Sequence, residues 1–391
     1  MNRRDLLSAM GLGLAATLLP SAAALSQTAV DVSRTRWTVR ASEGFDAVAF
    51  VGALTEGELF MRFHADAVRL FTPRLSKVIR DDIKAIWTES DRSSFGLLSP
   101  SLSLILSHGR VTDLRSVIAA LRGLDDSVAS AFRAGPYWQE DDWRWLVSAA
   151  PRLVSIFEAI QDAGFAEFRT EQIGPELAQS PIELQRALTP FDVIRWQEKV
   201  TGRSFDPQIE VIVLRFGKPF GAKIAGQTFL QAMGNNVAAT VRIAAHEMLH
   251  PPVAMNGVAA KAALDVLKRD PLIPKVVREH DPKWGYTTLE GILNEDLCEA
   301  LDQIISEKLG VARNPADRWR EQDDGIHVLA GGLYGLLRED RWGETGGSIE
   351  TWLRTAAHTG RLDSSILHPM AARVLERPVD RLWPLFSSLN R

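Results

Sequence analysis

Two histidines four residues apart, in His246-Glu247-Met248-Leu249-His250, are followed at once by Pro251-Pro252. On a helix this spacing puts both imidazoles on one face, where they can reach a single metal ion. Glu247, beside the first of them, then stands to take a proton from water at that ion. The apolar residues Val237 to Ala245, preceded by Asn235-Asn236 as a cap, complete a helix that can carry the pair. Proline disfavours helical backbone at the residue before it, so this helix is expected to end at His250.

A catalytic metal needs three protein ligands and one open position. The extended HExxHxxGxxH pattern is not met, because Val253 stands at the glycine place and Asn256 at the third histidine place. A carboxylate on a second helix is the alternative source, and Gly291 to Ala300 is strongly helical. There Glu295 and Glu299 lie one turn apart on one face, so one can bind the metal while the other holds a ligand histidine from behind. His280 with Asp281, and Cys298 one turn from Glu295, are further candidates by residue type. A lone cysteine in an apolar helix is usually a core residue. His64, His108, His358 and His368 have no motif around them.

HEMLH followed by GILNEDLCEA resembles the thermolysin-like gluzincins, whose second helix carries an Asn-Glu pair followed by an Asp one turn on. The resemblance implies Glu295 as the third zinc ligand, with Asn294 and Glu299 supporting the histidines, although Glu299 stands where the family has Asp. Tyr286, nine residues before Glu295, falls where the family has a tyrosine that hydrogen-bonds the transition state. The stretch Asp323 to Gly332 is similar to that around the family's oxyanion-stabilising histidine. His327 is thereby implied as a second stabiliser, with Asp323 or Asp324 to orient it. These windows lie between about 235 and 335, and the first 200 residues have no counterpart. The resemblance implies a zincin-like domain, a Zn2+ cofactor and a peptide or protein substrate, with Glu247 as general base and His327 and Tyr286 meeting the developing oxyanion. His250 and Glu295 are separated by 44 residues, which read as an insertion that shapes the cleft. The competing reading is a zincin-like domain that binds metal or protein without turnover; hydrolysis of a non-peptide amide would share the same metal chemistry.

The 391-residue chain is long enough for two domains or one large one, and its 46% hydrophobic and 24% charged residues are those of an ordinary globular protein. Its net charge of −4 leaves no basic surplus for a phosphate backbone, so nucleic acid is not an expected partner. The single cysteine excludes an intramolecular disulfide and a zinc site built from several thiolates. Arg3-Arg4 precede the uncharged stretch Leu6 to Leu25, and Ala22-Ala23-Ala24 offers a cleavage site. Residues 1–26 therefore read as a twin-arginine-type signal peptide that hands the chain to the export machinery. A periplasmic or secreted protein with no stable membrane span after cleavage follows, an uncleaved anchor being the other reading of the same stretch.

From about 42 to 203 apolar residues recur at helix spacing, as in Val78, Ile79, Ile83 and Ile86 and again from Trp145 to Ile160, where Pro151 bends or restarts the helix. Tyr137, Trp138, Trp143 and Trp145 read as packing residues. Ile209 to Leu214 forms a β-branched run, a second strand is expected from Lys223 to about Ala232, and helix dominates from Val237 onward. The expected fold is α+β and predominantly helical. A helical N-terminal domain of unknown role spans 27–203, and a zincin-like metallopeptidase domain spans 204–391, its small sheet packed on the HExxH helix. The strand around Gly226 to Gln231 is expected to offer an edge to an extended substrate.

Overall fold

The structure, a computed structural model, describes residues 33–384 other than 136, 220, 282 and 283, and the side chains of 176–179 and 321 are likewise outside the description. The expected export segment, 1–26, lies outside the described residues. The chain is predominantly helical around one four-stranded sheet of order β1-β2-β4-β3, the α+β, zincin-like arrangement that the pattern implied. The strands are β1 (Arg36–Ala41), β2 (Gln208–Leu214), β3 (Ala222–Lys223) and β4 (Thr228–Ala232). β1, β2 and β4 run parallel, with Val39 opposite Val211 and Val211 opposite Phe229, while β3 pairs antiparallel with β4.

Strand β1 escapes a periodicity search because it is short, yet Trp37 and Val39 alternate inward between Arg36, Thr38 and Arg40. The segment expected to be one strand from 223 to 232 is a hairpin instead. Its second arm, β4, lies inside the sheet between β2 and β3, so the outer strands are β1 and β3 and Gly226–Gln231 is not an edge.

Between β1 and β2 run α1 (Glu43–Leu54), α2 (Glu58–Phe71), α3 (Lys77–Arg92), α4 (Leu98–Leu106), α5 (Leu114–Arg122), the short α6 (Ser130–Arg133), α7 (Glu140–Asp162), α8 (Phe165–Leu188) and α9 (Val193–Thr201). Helix α7 passes through Pro151 unbroken, and α8 kinks at Gly174 before Pro175. After the sheet come α10 (Val237–Glu247), α11 (Val258–Leu267), α12 (Ile273–Glu279), α13 (Leu289–Lys308), α14 (Pro315–Glu321), α15 (Val328–Glu339), α16 (Trp342–Thr345), α17 (Ile349–His358) and α18 (Ser364–Leu375). No helix among the described residues is long and apolar enough to cross a membrane.

The two-residue period of β2 divides the interior. Ile209, Val211 and Val213 enter a core with Val241, Ala244 and Ala245 of α10 and the apolar face of α13. Ile212 and Leu214 enter a second core with Phe50, Phe71, Phe165 and Phe168, in which the Phe50 and Phe216 ring centroids are 4.3 Å apart. A strand buried on both faces reads as a continuous apolar run, as this one does. Trp138 and Trp143, with centroids 5.3 Å apart, pack on that second core.

Helix α9 belongs to the first core and ends at Gly202, whose φ of 68° is left-handed. A Cβ there would lie 2.9 Å from the backbone of Gly347 and Ser348. Gly202→Ala therefore combines a left-handed penalty with a backbone clash, and is expected to lower unfolding free energy by about 2–4 kcal/mol, read from the urea midpoint.

Candidate metal centre

Asn236 caps α10 by accepting from the Ala239 N–H at 2.8 Å. The helix was expected to reach His250 but ends at Glu247, where the Leu249 N–H turns back to the His246 carbonyl at 3.0 Å. The physical reason is the proline pair: Pro251 and Pro252 have no N–H for the carbonyls of Glu247 and Met248, so the last turn cannot continue the ladder. His250 thus sits in the turn beyond the helix, with 5% of its surface exposed, against 6% for His246.

Helix α13 packs against α10. Thr288 caps it by accepting from Gly291 N–H at 3.0 Å, and every residue from Gly291 to Ser306 is buried. Its Glu295 places Oε1 3.2 Å from His246 Nε2 and Oε2 3.5 Å from His250 Nε2, and the two Nε2 atoms are 3.0 Å apart. Tetrahedral ligands at about 2.0–2.2 Å from a metal lie about 3.3–3.6 Å from one another, so this triangle has nearly the edge lengths that a metal ion requires. Polar atoms without a hydrogen-bond partner among the described residues gather in the same elements: both Glu295 oxygens, Glu247 Oε2, Asn294 Oδ1 and the Tyr286 hydroxyl. Buried polar atoms are normally paired, so such a group of orphans fits a bound ion and its surroundings. His246, His250 and Glu295 form a zincin-type cluster able to hold a metal ion.

The ring orientations follow from what stands behind them. His246 Nδ1 donates to Asp302 Oδ2 at 2.7 Å, which turns its Nε2 toward Glu295, where a metal would take the place of the Nε2 proton. Behind His250 Nδ1 lie the Asn294 amide nitrogen at 3.2 Å and Cys298 Sγ at 3.4 Å. Turning that amide by half a rotation sets Oδ1 to accept the Nδ1 proton and frees the His250 Nε2 lone pair for a metal. Burial disfavours both imidazolium forms. For His246 the Glu295 and Asp302 carboxylates outweigh this and hold its pKa well above the ordinary value, whereas burial and the neighbouring His246 charge push His250 well below it.

Glu299, expected behind a histidine, is 3.9 Å from His246 Nδ1 and is engaged elsewhere. It accepts from Trp319 Nε1 at 2.7 Å and Gln322 Nε2 at 3.2 Å, and pairs with Arg318 at 2.6 Å. Asp302, one turn further along the same face, takes the place on His246. The spacing 295, 299, 302 on a helix was the available signal for it. Cys298 is a core residue that also touches the site. His280 spends both ring nitrogens on the carbonyls of Val276 and Gly285, at 2.8 and 2.6 Å, and stands outside the ligand cluster.

His327 is wholly buried between two carboxylates, with Nδ1 2.6 Å from Asp296 and Nε2 3.1 Å from Asp323. Burial opposes its charge, but Asp296 first and then Asp323 outweigh it and hold the ring well above the ordinary histidine range. Asp296, which α13 also supplies, was not anticipated. Asp324 is exposed and accepts from Trp284 Nε1 at 3.0 Å, away from His327. Tyr286 stacks edge-on to His327 with centroids 5.6 Å apart, and burial, followed by the charge of Glu295, raises its pKa well above the usual phenol.

Glu247 is 2% exposed, and burial raises its carboxyl pKa against the opposing charges of His246 and Lys223. Lys223, on the outer strand β3, is pulled down by burial to about 8. Tyr137, from the loop between α6 and α7, lies within electrostatic reach of Glu247, so the N-terminal helices also contribute to the surroundings of the site. Comparison with family models, with curated proteins and with solved structures returned no match for this chain. The site therefore stands on its own geometry. Asp302→Asn removes the charge behind His246 while keeping an acceptor, and is expected to weaken divalent metal binding about 10–100-fold in a chelator competition assay.

Proposed function

We propose that this chain is an exported zinc-dependent peptidase of gluzincin type, with residues 204–391 carrying the chemistry; the helices of 27–203, expected as a domain of their own, share the sheet through β1 and serve as its support. The observation that carries the reading is Glu247: a buried carboxylate beside ligand His246, one of whose oxygens has no partner among the described residues. A purely structural metal site has no use for such a base. His246, His250 and Glu295 would hold Zn2+, two imidazole nitrogens and a carboxylate suiting that ion. When bound, the zinc supplies Lewis acidity, polarising a carbonyl and lowering the pKa of water toward neutrality.

The chain's own residues supply the proton transfers. Glu247 takes the proton of the attacking water and passes it to the leaving amine, a role helped by the burial that raises its pKa. The Tyr286 hydroxyl, unpartnered among the described residues, is the donor available to the developing oxyanion. His327 contributes its charge; its Nε2 proton is already shared with Asp323, so donation to substrate requires that carboxylate to yield. Export through the twin-arginine route, to the periplasm or the cell exterior, belongs to the same proposal.

A second reading is favoured by one observation: both nitrogens of His327 are occupied, which suits a zincin-like domain that binds metal or protein without turnover. Zinc content and hydrolysis of casein and of a peptide library separate the two. Glu247→Gln is expected to retain zinc and to lose about 10²–10⁴-fold in kcat, whereas Glu295→Ala is expected to lose the metal. Peptidase activity that survives Glu247→Gln refutes the mechanism. Stoichiometric zinc with no turnover of any peptide establishes the second reading.

A further inference from the structure

Because α10 stops at Glu247, the helical ladder does not set the position of His250. The turn that replaces it carries carbonyls that the backbone leaves without donors, and long side chains from elsewhere supply them. Arg203 Nη1 donates to the Pro251 carbonyl at 2.9 Å, and its Nη2 to Leu249 at 3.3 Å. Lys223 Nζ donates to the His250 carbonyl between them at 3.1 Å. One turn earlier, Gln197 Nε2 donates to Ala244 and Ala245 at 3.2 and 3.1 Å. Three consecutive carbonyls, 249 to 251, are thus held by two cations from outside the motif. One follows α9, packed in the first core, and the other is fixed by the pairing of Lys223 with Phe229 in the sheet.

We propose that Arg203 and Lys223 are positioning residues of the metal centre, a clamp that fixes the turn 249–251 and thereby sets His250 Nε2 at ligand distance from His246 and Glu295. This rests on the reading of that cluster as a metal site. The clamp is not explained by electrostatics, since two cations beside a bound cation repel it. Their benefit has to come through the hydrogen bonds that orient the ligand, as outer partners of metal ligands do. The side chains also differ from an ordinary helix cap, in which a local residue or water takes the last carbonyls.

The test uses the full mature protein, stripped of metal, with Zn2+ affinity measured by chelator competition and Co2+ loading followed by visible absorption. Lys223→Met and Arg203→Met are expected to keep the far-UV circular dichroism of the wild type and to bind Zn2+ about tenfold or more weakly, with a changed Co2+ ligand-field spectrum. Lys223→Arg, which keeps a donor, is expected to recover most of the affinity. If either methionine variant fails to fold, Lys223→Ala and Arg203→Ala, which also remove the donor, carry the same comparison. A merely structural role would lower the melting temperature and leave the Co2+ spectrum and Zn2+ affinity of the folded protein unchanged, which overturns the proposal. Tighter Zn2+ binding in the variants, the result if repulsion dominates, overturns it as well. A wild-type protein that binds neither ion removes the metal-site reading and the clamp with it. Zn2+ binding that is equal in wild type and variants removes the clamp alone.

Discussion

Helix α13 buries Asn294, Glu295, Asp296, Glu299, Asp302 and Gln303 in one span. Burying a carboxylate is costly unless a cation or donor meets it, and this helix buries four. Their partners come from other segments: Glu295 faces the two motif histidines, Asp296 pairs with His327, and Arg318 is shared by Glu299, which also accepts from Trp319, and Asp302, which also meets His246. The packing of α10, α14 and the start of α15 around α13 is therefore dictated by charge pairing as much as by apolar contact. The pairing also divides the labour. Burial alone would raise the pKa of Glu299, but Arg318 outweighs it and holds Glu299 firmly ionised, whereas Glu295 is raised by burial and left with oxygens unpartnered among the described residues. Arg318 holds Glu299 and Asp302 and His327 holds Asp296, which leaves Glu295 as the carboxylate that faces only the two motif histidines.

The sheet links this arrangement to the N-terminal helices. Strand β2 sends alternate residues into two cores, and β1, which precedes all the N-terminal helices, pairs with β2. The N-terminal part of the chain thus completes the sheet, and through Gln197 and Arg203 it reaches the carbonyls at the end of the HExxH helix. Asp46 makes a similar tie in the other core, accepting from the Phe216 N–H at 2.9 Å and from Arg169 at 2.6 Å. A short strand and a few long polar side chains do this joining, and neither leaves a strong periodic signal.

Two features were legible because they depend on local spacing. Histidines at i and i+4, with a glutamate at i+1, share a helical face wherever the helix sits, and Glu295 with Glu299 does the same on the second helix. The β-branched run at 209–214 likewise announced a strand buried on both faces. The readings that shifted were those in which a neighbour decides. The helix end moved from His250 to Glu247, the strand at 223–232 became a hairpin, and the carboxylate behind His246 moved from Glu299 to Asp302. For His327 the orienting carboxylate expected within its own loop is joined by Asp296, 31 residues upstream on α13.

By itself the sequence determined the helical faces, the strand that divides the interior and the identity of the metal-capable side chains, since each follows from a period of 3.6 or 2 along a few residues. Tertiary structure alone decided which carboxylate stands behind which imidazole, which strands lie at the edges of the sheet, and how His250 is held beyond the end of its helix. Those outcomes turn on distances of about 1 Å between segments far apart in the chain, at the scale on which hydrogen bonds form or fail. No local pattern encodes them.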